Sequence, residues 1–323
     1  MNLKIKECSI ILLALLVLIS CKTQEIQKSE PDFIQLKGPY LGQEPPGMTP
    51  VVFAPGILSN DKIGAFCSVF SPDGNEFYYV RFIRGVEGSG RIYWMQRVNN
   101  IWVEPEPAPF AGDYAENDMR ISPDGCKMFW RSWRPLPDKS NQEDRSCVWF
   151  STRLEDVWSE PQPLRCPDGY LRAGYLAVTN NGTLYFPARR EDSYGEGDIY
   201  RSRYINGVYT TPENLGRIIN TRYSEGDLCV APDESFLIVS CWNRPENRGV
   251  SDLYISFHNG NGGWSRLQNL GEPVNNEHEE NCPTLSPDGQ YFFFNRRNIA
   301  TGKGDIYWVD AKIIDGLFNV IKP

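Results

Sequence analysis

The sequence contains only two histidines, His258 and His278, and neither stands at metal-ligand spacing from another histidine or a cysteine. No two of its nine cysteines are separated by just two residues, so zinc-ribbon and dithiol redox motifs are absent. No Gly-x-Ser-x-Gly occurs, which removes the nucleophile elbow of the serine hydrolases. Basic residues do not predominate. The 33 Lys and Arg stand against 41 Asp and Glu, a formal charge of -8, and phosphate binding needs clustered cations, so nucleic acid is excluded as a partner. Helical periodicity is scarce. No cofactor and no metal is expected from this inventory.

What is present begins with a targeting signal. Lys4 and Lys6 precede an unbroken apolar run from Ile10 to Ile19, too short for a membrane-spanning helix of about 20 residues but suited to a signal-peptide core. The run ends in Leu18-Ile19-Ser20-Cys21, which resembles a bacterial lipobox. Residues 1–20 are therefore expected to be a lipoprotein signal peptide. Cys21 becomes the lipidated residue that holds the chain on a membrane of the cell envelope, the leaflet being open. Residues 21–38 are polar, without an apolar period, and read as a tether. The mature chain would carry a charge of -9, because Lys4, Lys6 and Glu7 leave with the signal.

Beyond residue 38 the chain is aromatic-rich (16 Tyr, 16 Phe, 9 Trp) and punctuated by 28 Gly and 24 Pro, a composition that points to all-β structure. It also repeats. Ser-Pro-Asp-Gly occurs at 71–74, 122–125 and 286–289, with weaker copies at Thr179-Asn180-Asn181-Gly182 and Ala231-Pro232-Asp233-Glu234. The third positions, 73, 124, 181, 233 and 288, are spaced by 51, 57, 52 and 55 residues, a period of the propeller and solenoid range. Each copy follows a short strand and precedes an aromatic one such as Phe77-Tyr78-Tyr79 or Phe292-Phe293-Phe294. A loop with Arg then leads to a third strand such as Asp198-Ile199-Tyr200, and a fourth opens on Trp102, Trp158, Tyr209 or Trp264. Four antiparallel strands per repeat predict a single β-propeller over residues 39–323, of five blades or alternatively six. The last repeat lacks a fourth strand, and Thr49–Pro55 looks like the missing one, so the N-terminal strand is expected to close the ring. The marker aspartates Asp73, Asp124 and Asp288 are read as turn residues, which bond their own backbone.

The Ser-Pro-Asp-Gly turns, the Gly-Asp-Ile-Tyr strands at 197–200 and 304–307 and Trp158-Ser159-Glu160-Pro161 resemble the TolB-type, WD-like β-propeller repeat family of bacterial envelope proteins. The resemblance covers residue 39 onward. It implies a propeller that serves as a binding platform, as part of an envelope assembly, or as a regulatory domain on a peptidase. The sequence departs from the peptidase-linked members, since no hydrolase domain is expected after the last repeat. The namesake has six blades and an extra domain, whereas five repeats and no second domain are found here.

The most suggestive constellation is acidic. Six residues before each marker turn stand Ala65, Glu116, Ala173, Glu225 and Glu280; four before stand Cys67, Asp118, Tyr175, Asp227 and Cys282. Strand alternation predicts that both positions share a side, so that Glu116, Asp118, Glu225, Asp227 and Glu280 ring one mouth of the channel. The loop after the second strand lies at the same end and carries Arg84, Arg134, Arg190, Arg244 and Arg297, which either neutralise these acids or pair with Asp198, Asp252 and Asp305. Trp102, Trp158 and Trp264 recur at one position and suit packing between blades, whereas Trp130, Trp133 and Trp242 break the pattern and suit a ligand surface. His258 and His278 are read as solvated loop residues. Cys67 and Cys282 hold equivalent places in the first and last repeats, and a disulfide between them is one possibility. Three functions follow: a non-enzymatic module that binds a protein or glycan through Glu116, Asp118, Glu225, Asp227, Glu280, Arg134, Arg244, Arg297, Trp133 and Trp242; a glycoside hydrolase using two of the carboxylates; or a scaffold without small ligand.

Overall fold

A computed structural model describes residues 34–137, 146–260 and 263–314. The segment expected as a signal peptide, Cys21 and most of the segment expected as a tether lie outside the described residues. Leu36–Lys37, inside the segment expected as tether, pairs with Ile101–Trp102, and Trp102 Nε1 donates to the Gly38 carbonyl at 2.7 Å.

The described residues are all-β with almost no helix. Each marker closes a hairpin between an inner and a second strand: Ile63–Phe70 with Glu76–Ile83, Glu116–Ile121 with Lys127–Ser132, Ala177–Val178 with Leu184–Ala188, Ser224–Val230 with Phe236–Trp242, and Glu279–Leu285 with Tyr291–Arg297. The turn chemistry is the expected one. Ser71 Oγ donates to Asp73 Oδ1 at 2.6 Å and accepts from the Glu76 amide at 2.9 Å, and Asp73 also accepts from the Asn75 amide at 3.0 Å. Gly74 takes φ 69°, where a side chain is strained. Ser122/Asp124 and Ser286/Asp288 repeat these bonds, and in the third repeat Thr179 Oγ1 donates to Asn181 Oδ1, which accepts from the Thr183 amide.

A third strand follows in every repeat: Arg91–Val98, Cys147–Leu154, Asp198–Ser202, Ser251–Phe257 and Gly304–Asp310. The fourth is shorter than expected. It is reduced to Glu106–Pro107, Gln162–Pro163, Glu213–Asn214 and Gln268–Asn269. Proline has no N–H for the ladder, and Pro105, Pro107, Pro161, Pro163 and Pro212 fall in or beside these segments. The expected opening aromatics Trp102, Trp158 and Tyr209 sit one turn earlier, in small hairpins.

Successive residues of the second strands face opposite neighbours, and this makes the core. Trp130 packs with Tyr78 of the preceding repeat, while Phe129 packs with Phe186 of the following one. Tyr185 and Val239 share the next layer, and Ile238 and Phe294 the one after. The last repeat returns to the first. Val51 pairs with Trp308 and Val52 with Tyr307, and the Phe53 amide donates to the Ile306 carbonyl at 2.8 Å. Phe53, fully buried, packs its ring 5.1–6.2 Å from Trp308, Phe293, Phe77 and Phe70. The N-terminal strand thus completes the final sheet in a propeller-like closure.

Candidate functional site

Four inner strands carry a β-bulge just before the marker turn. The register jumps between Phe66 and Ser68, Asn117 and Arg120, Glu225 and Leu228, and Asn281 and Thr284. Cys67, Asp118 and Cys282 adopt φ of 46°, 57° and 50° at these points. A bulge inserts a residue and re-aims the side chains around it. The expectation that the two acidic positions share a side is therefore corrected: the bulge sends the glutamates one way and the aspartates another.

The glutamates are buried and paired. Glu225 accepts from Arg244 at 2.6 Å and from the Thr221 hydroxyl at 2.6 Å. Glu280 accepts from Arg296 at 2.7 Å, and Glu116 accepts from Arg134 and from Trp130 Nε1. Each arginine also lies over a ring of its own repeat: Arg134 over Trp149 at 5.1 Å, Arg244 over Tyr254 at 4.7 Å, Arg296 over Tyr307 at 4.8 Å. Burial pushes the Glu225 carboxyl upward and that of Glu280 to about 7, with the arginines opposing. The partner of Glu280 is Arg296 and not the expected Arg297, because adjacent strand residues face opposite sides; Arg297 pairs with Glu279 at 3.0 Å.

The third-strand aspartates divide. Asp198 accepts from the Tyr194 and Gly195 amides and Asn214 Nδ2, and Asp252 from the Arg248 and Gly249 amides and Asn269 Nδ2. These are loop-ordering contacts. Asp305 alone of the three takes the expected arginine, Arg84, at 3.3 Å.

The residues four before the markers converge instead at the centre. Cys67 and Cys282, buried thiols, stand with their sulfurs in contact at 2.6 Å. Cys67 Sγ reaches Asp118 at 3.8 Å, and Cys282 donates to Asp227 through its amide (3.2 Å) and its thiol (3.3 Å). Asp118 and Asp227 are half-buried and, among the described residues, form no salt bridge. Burial, with Asp227 next, raises the Asp118 carboxyl to about 7, and burial likewise raises Asp227. Tyr175, the equivalent residue of the third repeat, is buried beside them, and Arg120 lies over its ring at 4.7 Å.

Above this floor opens a cavity of about 280 Å³, lined by Asp118, Asp227, Asn281, Cys282, Asn295, Arg297, Phe66 and Phe82. Asn295 is 7% exposed and its Oδ1 has no partner, and Asn281 Oδ1 is likewise buried and unpartnered. Phe66 and Phe82 meet edge to face at 5.5 Å and form an apolar wall, and Phe82 lies so close over Gly64 that a Cβ there would meet its ring at 2.1 Å. The cavity offers hydrogen-bond acceptors against a hydrophobic side, the pattern of a small-ligand site.

Asn281, Asn295, Phe66 and Phe82 escape a reading of acids and arginines. The signal for Asn295 is present, an amide following Phe292-Phe293-Phe294 in an otherwise aromatic strand. Trp130 is fully buried and is core, not ligand surface, because its N–H serves Glu116. Trp133 is half-buried with Arg131 over its ring at 4.6 Å, and Trp242 is half-buried over Gly226, where a Cβ would meet it at 2.2 Å. Trp264 packs edge-on against Tyr185 of the neighbouring repeat, as expected. His278 is half-buried against Asn298 at 3.1 Å rather than solvated, and His258 is half-buried edge-on to Trp264.

No family model and no curated protein sequence matches this protein. Solved structures do. One described as a glycoside hydrolase aligns over 84% of this chain and 93% of its own length, with TM-score 0.54 and 11% identity. One described as a BT0996 RGII complex aligns over 84% and 91%, with TM-score 0.52 and 11% identity. A protein of unknown function from Dyadobacter fermentans aligns over 83% of both, with TM-score 0.49 and 13% identity. The neighbours include β-propeller-type folds, and at these identities the likeness is one of fold alone.

Proposed function

We propose that the protein is a five-bladed propeller, anchored to the bacterial envelope through lipidated Cys21, that binds a glycan at one mouth of the ring without transforming it. One observation carries this reading. In the cavity above the bulges, the carboxylates of Asp118 and Asp227 stand without a salt-bridge partner, and the amide oxygens of Asn281 and Asn295 without a hydrogen bond, among the described residues, beside the Phe66–Phe82 wall. The buried amide oxygens of Asn281 and Asn295, left unpaired, cost about 1–3 kcal/mol each, a cost that a ligand rich in hydroxyl donors removes. The apolar wall suits the C–H face of a sugar ring. The paired glutamates shape the mouth and are not contact residues in this reading.

The test is a glycan screen of the soluble protein lacking residues 1–21, with Asp227→Asn and Asn295→Leu as variants. At least tenfold weaker binding in both is expected. Unchanged binding in the variants, or retention of a protein partner and no glycan, overturns it. A hydrolytic second reading has one observation in its favour: Asp118 keeps its proton to about 7 beside Asp227, as a general acid does. Release of new reducing ends from a bound glycan, abolished by Asp118→Asn, would establish that reading in place of simple binding.

A further inference from the structure

The inner strands place two thiols where the ring closes. The position four before the marker holds Cys67 in the first repeat and Cys282 in the fifth, whereas the second, third and fourth repeats hold Asp118, Tyr175 and Asp227 there. The two repeats with cysteine are those that meet at the closure. Ile63–Phe70 of the first packs against Glu279–Leu285 and Gly304–Asp310 of the fifth. Each cysteine is a bulge residue with positive φ, 46° and 50°, which turns it out of the ladder toward its counterpart. The sulfurs stand 2.6 Å apart, although 215 positions separate the residues in sequence. That is well inside ordinary van der Waals contact and about 0.6 Å from an S–S bond length. Among the described residues no other two sulfurs touch: Cys126 is exposed, and Cys166 Sγ faces Ser202 Oγ at 3.9 Å.

Each thiol has a carboxylate at hand, and one of the two can be reached. Cys282 Sγ directs its proton to Asp227 Oδ2 at 3.3 Å, and Asp118 Oδ1 lies 3.8 Å from Cys67 Sγ. Cys282 lines the cavity of about 280 Å³, so a small oxidant meets its sulfur from that side. The pairing of Val51 with Trp308 holds the closure through the outer strands. A bond between the thiols would hold it at the centre as well.

We propose that Cys67 and Cys282 are a disulfide site that fastens the first repeat to the fifth, formed from the dithiol by exchange with a small organic disulfide or a protein disulfide. Cys282 Sγ attacks the oxidant's disulfide and displaces half of it. Cys67 Sγ then attacks Cys282 Sγ and displaces the other half. Two S–H bonds and the oxidant's S–S bond break, and one S–S bond forms in the protein. Two electrons pass to the oxidant. Asp227 and Asp118 take the two protons and pass them to the departing thiolates, so the oxidant leaves as two thiols. The proposal depends neither on the glycan reading nor on the lipid anchor, although export to the envelope would supply an oxidising compartment.

The test uses the soluble protein lacking residues 1–21, which keeps seven cysteines. The reduced protein is treated with bis(2-hydroxyethyl) disulfide in the native state and, in a second arm, during refolding from urea, where access to the centre is not limiting. It is then alkylated in denaturant and read by peptide mass. A bridge between the Cys67 and Cys282 peptides in either arm is expected, with five thiols still alkylated and two hydrogens lost. The bridge should raise the urea midpoint by on the order of 1 M, reversed by reductant. Cys126→Ser, at an exposed thiol, forms the same bridge. Cys282→Ser forms none and shows no rise in midpoint with oxidant. Seven alkylated thiols in both arms, a bridge from Cys67 to a different cysteine, a mixed disulfide on Cys282 that Cys67 does not resolve, or a bridge without a change in midpoint overturns the assignment.

Discussion

Arg120, on the inner strand of the second repeat, reaches across the centre of the molecule to Thr284 of the fifth: its Nη1 donates to Oγ1 at 2.5 Å over 164 positions of sequence. The same side chain donates to the Pro283 carbonyl at 3.2 Å and the Leu176 carbonyl at 3.3 Å. One guanidinium therefore ties three repeats at the floor of the cavity. Replacing it with methionine removes the donor to the Thr284 hydroxyl and the Leu176 carbonyl, while the Pro283 carbonyl keeps the Tyr175 hydroxyl at 3.3 Å. Arg120→Met is expected to lower stability by about 2–4 kcal/mol, read as a fall in the urea midpoint without a change in slope. An unchanged midpoint would show that the spoke is dispensable.

The buried Glu–Arg pairs make a sharper energetic prediction. Arg244→Met strands Glu225, fully buried, and should cost about 3–5 kcal/mol, whereas the double change Glu225→Leu with Arg244→Met recovers much of that loss. Arg203→Met, on the exposed pair with Glu213, should stay within about 1 kcal/mol. Equal losses in Arg244→Met and Arg203→Met would contradict the burial argument.

The pH dependence follows from the acids whose proton affinity rises on folding. Asp118 moves from an ordinary carboxyl value to about 7, chiefly through burial and then through Asp227, and Glu280 reaches about 7 through burial. Between about pH 4 and 7 the folded protein then holds protons that the unfolded chain has released, so these groups favour folding at the acidic end and their contribution falls as pH rises through 7. The marker aspartates act oppositely. Asp73 is lowered despite burial, through Ser71 and Asn75, so its contribution is lost only in stronger acid. Asp118→Asn should flatten the fall in urea midpoint between pH 5 and 8. A slope identical to that of the parent protein would rule this out.

Local turn chemistry explains why so much of the fold could be read in one dimension. Ser71, Asp73 and Gly74 make their bonds to atoms at most five residues away, so the hairpin follows from the motif, and the recurrence of the motif marks the repeats. The bulges were not legible. They require positive φ at Cys67, Asp118 and Cys282, and no glycine signals them. That one hidden insertion reversed the predicted grouping of Glu116 with Asp118. Proline shortened the fourth strands in a way the sequence did display.

Thiol chemistry separates the cysteines. Burial pushes the Cys67 thiol to about 12 and Cys282 well above its ordinary value, whereas Cys126 is exposed. The thiolate is the reactive form. Iodoacetamide at pH 8 should modify Cys126 in the native protein and leave Cys67 and Cys282 until denaturant is added, read by peptide mass. Rapid native labelling of Cys67 would show that the centre opens readily.

Closure across Val51 and Trp308 also sets a temporal order. During synthesis the first of these residues emerges well over two hundred positions ahead of the second, so residues 51–53 must wait, unpaired and with Phe53 unshielded, until nearly the whole sequence is available. Contacts so far apart in sequence form late. A polypeptide stopped before Tyr307 is left with a hydrophobic aromatic layer uncovered and a strand with no berth, and so becomes a substrate for quality control rather than a smaller working version of the protein.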